Sequence, residues 1–393
     1  MNDGGPRPGP AAAATSGAPP PAAPGLYVHV PFCVRKCAYC DFASEAPPHP
    51  DRIHRYLAGL AMELGRLPQD FRPGTVFLGG GTPTSLDDVA FARLLDLVAP
   101  RADGAVEWTC EANPRTVTAA KAARMHAAGI TRVSLGAQSF DPATLAFLGR
   151  AHGTDDVGDA ATLLRDAGFA NLGVDLITAV PGRDAAALER DLDRALSLDP
   201  QHVSAYTLSI EEGTPLAALV DMGAVKPVPD EQALADYELV RARLRAAGFV
   251  HYEISNFARP GFECRHNLLY WSGGEYLGCG PAAHSHRDGA RWGNVRTLEA
   301  WADVVSRGWT PVAFEERLTP EKRARETLVF SLRRLDGVDA AAFRAATGFD
   351  LDTLCGPEIA RLADQGLLER TATGVRLTGR ALFISDTVFA ELV

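Results

Sequence analysis

The chain is 393 residues long, 46% hydrophobic and 22% charged, with a formal net charge of −10 at pH 7. That length accommodates one large domain and a smaller one, and the composition is that of an ordered globular protein rather than a disordered chain. The acidic balance argues against nucleic acid or an anionic membrane surface as the main partner. No apolar run reaches the roughly 18 residues that a membrane-spanning helix needs.

Pro, Ala and Gly make up 19 of the first 25 residues, with only Asp3 and Arg7 charged. Such a segment buries too little to offset the entropy of ordering it, so residues 1–25 read as a tail outside the fold. Its seven prolines and the lack of a Leu, Ile or Val core exclude a secretory signal. Cytoplasmic residence is the resulting expectation, in a reducing compartment that suits metal-binding thiols.

From Leu26 short β-rich runs recur: Leu26–Phe32, Thr75–Leu78, Val106–Cys110, Arg132–Leu135, Leu172–Ile177 and His202–Ile210. Helical periodicity follows each. Ile53, Leu57, Leu60, Leu64 and Leu67 form the stripe of a helix packed on a sheet, and Ser85 with Asp88 suggests a capped helix start. Six β/α repeats predict parallel strands with helical crossovers, in a doubly wound sheet or in a barrel short of the usual eight units. Residues 26–310 are assigned to this core. Beyond it, Arg323–Leu332, Ala340–Thr347 and Glu358–Asp364 are helical, and two short β-runs follow around Thr373-Gly374. Residues 311–393 therefore read as a winged-helix-like unit, with packing rather than DNA binding as its role in so acidic a chain.

Three of the seven cysteines fall within eight residues, as Cys33, Cys37 and Cys40 in a C-x3-C-x2-C array directly after the first β-run. Arg35 and Lys36 between them favour thiolates. Structural zinc calls for four protein ligands, and no second Cys or His pair at zinc spacing exists. An ordinary iron–sulfur cluster also takes four cysteines. Three ligands thus leave one iron open to a cofactor or substrate. Cys110, Cys264, Cys279 and Cys355 are scattered and read as small buried residues.

The array, with Tyr39 before its last cysteine, resembles the signature of the radical S-adenosylmethionine (SAM) superfamily. The resemblance implies a [4Fe-4S] cluster whose open iron chelates SAM, and a partial (β/α)6 barrel, which decides between the two sheet architectures. Gly79-Gly80-Gly81-Thr82-Pro83, Glu111-Ala112-Asn113-Pro114 and Gln138-Ser139-Phe140 follow successive β-runs. By resemblance to the coproporphyrinogen-oxidase branch of that superfamily, Tyr27, Tyr39, Gly80, Gly81 and Thr82 line the SAM site, and Glu111, Gln138, Arg150 and Asp175 complete it. Thr178-Ala179-Val180-Pro181-Gly182 departs from the aromatic-Gly pair usual in the branch.

Within the branch, oxygen-independent coproporphyrinogen III oxidases carry a further cysteine two residues after the third, where this chain has Phe42. The segment His266-Asn267-Leu268-Leu269-Tyr270-Trp271 instead resembles the H-N-x-x-Y-W pattern of the branch's heme chaperones. That resemblance implies heme binding, with His266 for attachment and Tyr270 and Trp271 against the porphyrin. His284 and His286 stand as secondary contacts or as part of a polar loop. A heme acceptor, such as a membrane respiratory hemoprotein met peripherally at the membrane, is the implied partner. Oxidative decarboxylation of coproporphyrinogen III is the alternative.

Overall fold

The computed structural model describes residues 23–393, and most of the expected tail lies outside the described residues. Gly25, counted with that tail, is already the first residue of a strand. The six anticipated β-runs form β1 (Gly25–Val30), β2 (Thr75–Gly80), β3 (Glu107–Ala112), β4 (Arg132–Gln138), β5 (Leu172–Thr178) and β6 (His202–Thr207). They pair in parallel, each with the next.

Their side chains alternate with the two-residue period of a strand. Val133, Leu135 and Ala137 of β4 and Val174 and Leu176 of β5 join apolar cores. Arg132, Ser134, Gly136 and Gln138, like Gly173 and Asp175, occupy the opposite positions. Ordinary parallel strands are apolar on both faces. Here the second face is polar, and residues from β2 to β6 line one cavity, so the sheet wraps as a partial barrel around a polar interior.

Amphipathic helices cover the outside. In the helix Pro50–Arg66, Ile53, Leu57, Leu60 and Leu64 are buried as the stripe predicts, each such side chain contributing about 1.5–3 kcal/mol of transfer free energy. The helix anticipated near Ser85 begins three residues later, at Asp88. Asp87 caps it by accepting from the Ala90 amide, while Ser85 closes a 3-10 turn and donates to the Phe32 carbonyl.

Residues 250–317 add six strands that the β/α rhythm did not reveal. They are β7 (Val250–Glu253), β8 (Asn256–Ala258), β9 (Tyr276–Cys279), β10 (His284–Arg287), β11 (Ala290–Asn294) and β12 (Val312–Arg317). β9 pairs in parallel with β1, a seventh parallel strand on the side away from β2. β10 to β12 extend that edge antiparallel. The whole sheet has the order β12-β11-β10-β9-β1-β2-β3-β4-β5-β6-β8-β7. The division expected after residue 310 is corrected accordingly. β12 belongs to the main sheet, and the C-terminal unit starts with the helix Pro320–Leu332.

That unit has its own core, including Leu328, Leu332, Phe343, Leu354, Ile359, Leu362 and Val375. Four helices, Pro320–Leu332, Ala340–Thr347, Leu351–Asp364 and Ser385–Ala390, pack with a small sheet of β13 (Val338–Asp339), β14 (Leu368–Arg370) and β15 (Gly374–Leu377). Among the described residues no helix is long and apolar enough to cross a membrane.

Candidate functional site

The C-terminal ends of β2 to β6 and the loop after β1 enclose a cavity of about 390 Å³. Parallel strands bring all their C-terminal ends to one rim, so residues scattered over 180 positions of sequence converge there. Cys33, Cys37 and Cys40 stand on the loop after β1, unbridged and partly exposed to the cavity. The Cys33 thiol faces the Thr82 hydroxyl at 3.7 Å. The Arg150 guanidinium donates to the Cys37 sulfur at 3.3 Å and to the Gly136 carbonyl. Burial pushes the Cys33 thiol up and the Cys40 thiol up to about 11. Among the described residues no three His, Cys, Asp or Glu side chains converge closely enough for a single ion. Three thiols on one loop leave one iron of a [4Fe-4S] cluster open, whereas structural zinc takes four protein ligands.

Opposite the thiols lie two carboxylates. Glu111 accepts from the Gly80 amide at 3.2 Å, and Asp175 accepts from the Ser134 hydroxyl at 3.0 Å. Neither forms an ion pair among the described residues. Burial, then their mutual repulsion, raises Glu111 to about 8, and burial raises Asp175 against its hydroxyl partners and Arg132. Desolvated carboxylates without a counterion are costly. A ligand carrying positive charge would relieve that cost, and SAM brings both a sulfonium and an ammonium.

The backbone at these strand ends is tightly constrained. Gly80 adopts φ +106°, and a Cβ there would stand 2.5 Å from the His29 ring. Gln138, which is not a glycine, holds φ 66° at a bulge against β5. Such a conformation costs of order 1–3 kcal/mol and persists only when its surroundings impose it.

Of the residues expected around SAM, Tyr39, Gly80, Gly81, Thr82, Glu111, Gln138, Arg150 and Asp175 line the cavity. Tyr27 does not. Its hydroxyl bonds His29 at 3.1 Å and its ring packs on Phe77, deeper in the barrel. The cavity also takes in Asn113, which stands in the Glu111 motif, and Ser134, Tyr206 and Glu211, which no motif marked. A signal for two of them existed: Ser134 and Tyr206 fall on the polar alternation of β4 and β6.

Residues 27–195 match the Radical SAM superfamily and residues 318–384 the HemN C-terminal domain. The heme chaperone HemW of Mycobacterium tuberculosis is 40% identical over 389 residues, covering 96% of each chain. The chain belongs to the HemW family. The HemW of Bacillus subtilis is 34% identical over 93% of this chain and 98% of its own. The structure of the Escherichia coli coproporphyrinogen III oxidase HemN, a radical SAM enzyme, superimposes with a TM-score of 0.82 over 94% of this chain and 90% of that one. At 21% identity that likeness shows a common fold.

The HemW-type motif at His266 occupies the opposite end of the barrel. The helix Arg265–Trp271 lies across the N-terminal ends of the strands, and Glu107 of β3 accepts from the Arg265 and His266 amides. The His266 ring is buried, with Nδ1 on the Thr75 hydroxyl and Nε2 on the Tyr270 hydroxyl, both at 2.8 Å. Burial lowers it to about 3. With both nitrogens engaged, this imidazole has none free for iron, a correction to its expected role in heme attachment. Tyr270 packs on His266 and Tyr276. Trp271 leaves the barrel and packs under Arg333 and near Phe330 of the C-terminal unit. Neither ring is an open porphyrin platform. In this HemW-family chain the motif plugs the barrel and joins its two units.

Proposed function

We propose that this protein is a heme chaperone of radical SAM type, which binds heme and passes it to an acceptor. Cys33, Cys37 and Cys40 hold three irons of a [4Fe-4S] cluster, and SAM takes the fourth. Arg150 pairs with the SAM carboxylate, and Glu111 and Asp175 receive its positive groups and hydroxyls. Gln138 and the Gly80-Gly81-Thr82 turn fit against it. Loaded with both, the site supplies one-electron chemistry. The chain's own part is to orient SAM, neutralise its charge and shield the cluster within the barrel.

One observation carries the choice of carrier over oxidase. Phe42 stands where the oxidases of the branch have a cysteine, and it is 58% exposed beside the cavity mouth. The full-length likeness to proteins named heme chaperones supports the same reading. Cytoplasmic residence, with peripheral contact at a membrane respiratory hemoprotein as acceptor, completes the proposal.

Hemin titration of the anaerobically reconstituted protein tests it. A saturable Soret band with one heme per chain, followed by movement of that band onto an added heme-free hemoprotein, is expected. Absence of saturable binding would overturn the reading.

A further inference from the structure

The chain has ten histidines, and their surroundings separate them. His29, His152, His202, His251 and His266 are buried, each with a ring nitrogen bonded inside the protein. His49 caps a helix and His286 bonds the Gly274 carbonyl. His54 and His126 are exposed on helices of the outer layer. His284 is exposed on the main sheet, and among the described residues no hydrogen bond engages its ring.

Sheet register fixes where this imidazole faces. Tyr27 pairs with Gly278, His286 pairs with Tyr276, and His284 pairs with Gly293. Partners in register point to the same side of a sheet, so His284 shares the face that carries Tyr27 and His29 inside the barrel. The barrel does not close past β1, and that inner face continues into solvent over β10 to β12. His29 bonds the Ala43 carbonyl, and Arg296 bonds the Asp41 carbonyl. The face therefore adjoins the loop that carries the three thiols.

The row is built around the imidazole. Gly293 stands beside it and pairs onward with Phe314 of β12. A Cβ on Gly293 would meet the Phe314 ring at 2.4 Å. The missing side chain lets that ring lean across β11 and meet His284 edge-on at 5.5 Å. Phe314 remains 48% exposed. An uncommitted imidazole and an exposed aromatic ring thus share one face, and exposed Arg296, just past β11, reaches the thiol loop at the Asp41 carbonyl.

We propose that His284 supplies the axial nitrogen to heme iron, with Phe314 against the macrocycle and Arg296 toward a propionate. A flat apolar ring with a metal centre and two carboxylates is the ligand these groups match. Burial and nearby Arg291 hold His284 below its ordinary value, so the neutral, ligating form prevails at pH 7. This assignment rests on the heme-carrier reading above and places the cargo at the open side of the barrel, away from the His266 plug.

Hemin titration of the reconstituted full chain and of three variants tests it. His284→Ala is expected to bind at least about tenfold more weakly, a difference of 1.4 kcal/mol, and to lose the spectrum of a histidine-ligated heme. Added imidazole is expected to restore that spectrum. His284→Cys is expected to give the spectrum of a thiolate-ligated heme. Gly293→Val, which displaces Phe314, is expected to weaken binding with the histidine spectrum retained. Iron content and circular dichroism verify that each variant is folded and loaded. A His284→Ala protein with the parent's affinity and spectrum would overturn this assignment and leave the carrier reading standing. A parent chain that binds no hemin would remove both.

Discussion

Replacing His266 by alanine separates a structural plug from a heme ligand. The side chain makes two buried hydrogen bonds and packs on Phe77 and Tyr270. Losing two bonds at about 1 kcal/mol each, with the cavity left by a large-to-small change, costs about 3–5 kcal/mol of stability. The pH dependence is more diagnostic. The folded value near 3 lies below the ordinary 6.5, so the unfolded chain binds the extra proton. Stability from this residue is present above about pH 6.5 and is lost as the pH falls toward 3. Between pH 7 and pH 5 that loss amounts to about 2 kcal/mol. Urea unfolding followed by tryptophan fluorescence at both pH values checks it. His266→Ala should have a lower midpoint at pH 7 and a shallower pH dependence, by about that 2 kcal/mol, than the parent. A variant as stable as the parent, with the same pH profile, would refute the plug.

Further outcomes follow from the cavity. Cys37→Ser should abolish the roughly four irons per chain expected after anaerobic reconstitution. Stoichiometric zinc without labile sulfide in the parent would contradict the cluster. Asp175→Asn should weaken SAM binding by at least about tenfold, from loss of a buried charge-assisted contact worth about 1.5–3 kcal/mol, as read by equilibrium dialysis on the reconstituted protein. Arg183→Met should destabilise the fold by about 3–5 kcal/mol, because it strands Asp191, to which Arg183 donates at 2.8 Å with both side chains buried. Differential scanning calorimetry would show the lowered transition.

The barrel was legible because each of its six parallel strands is followed by an amphipathic helix, and because chemistry-bearing residues sit at strand ends. The cysteine array and the glycine turn were visible for the same reason. β9 was not: it joins β1 from some 250 residues away, after an antiparallel pair, and no local period records such a pairing. β12 leaves no apolar run in the sequence, because its side chains are mostly exposed. Tyr27 faces the barrel interior as expected but stands one level below the rim, against His29 and Phe77. His266 illustrates a different limit. Its motif reads as a cluster of ligating and aromatic residues, and only the fold shows that Thr75 and Tyr270 consume its nitrogens. His284 carried the weaker sequence signal, yet its register beside Gly293 and Phe314 leaves its nitrogens uncommitted.

The central claim is that a radical SAM barrel here carries heme instead of transforming a porphyrinogen. Its most direct test gives one reconstituted sample, loaded with cluster and SAM, both hemin and, separately, coproporphyrinogen III with a reductant. A heme carrier should show saturable binding of one heme per chain and form no protoporphyrinogen. Protoporphyrinogen formation in that sample would contradict it.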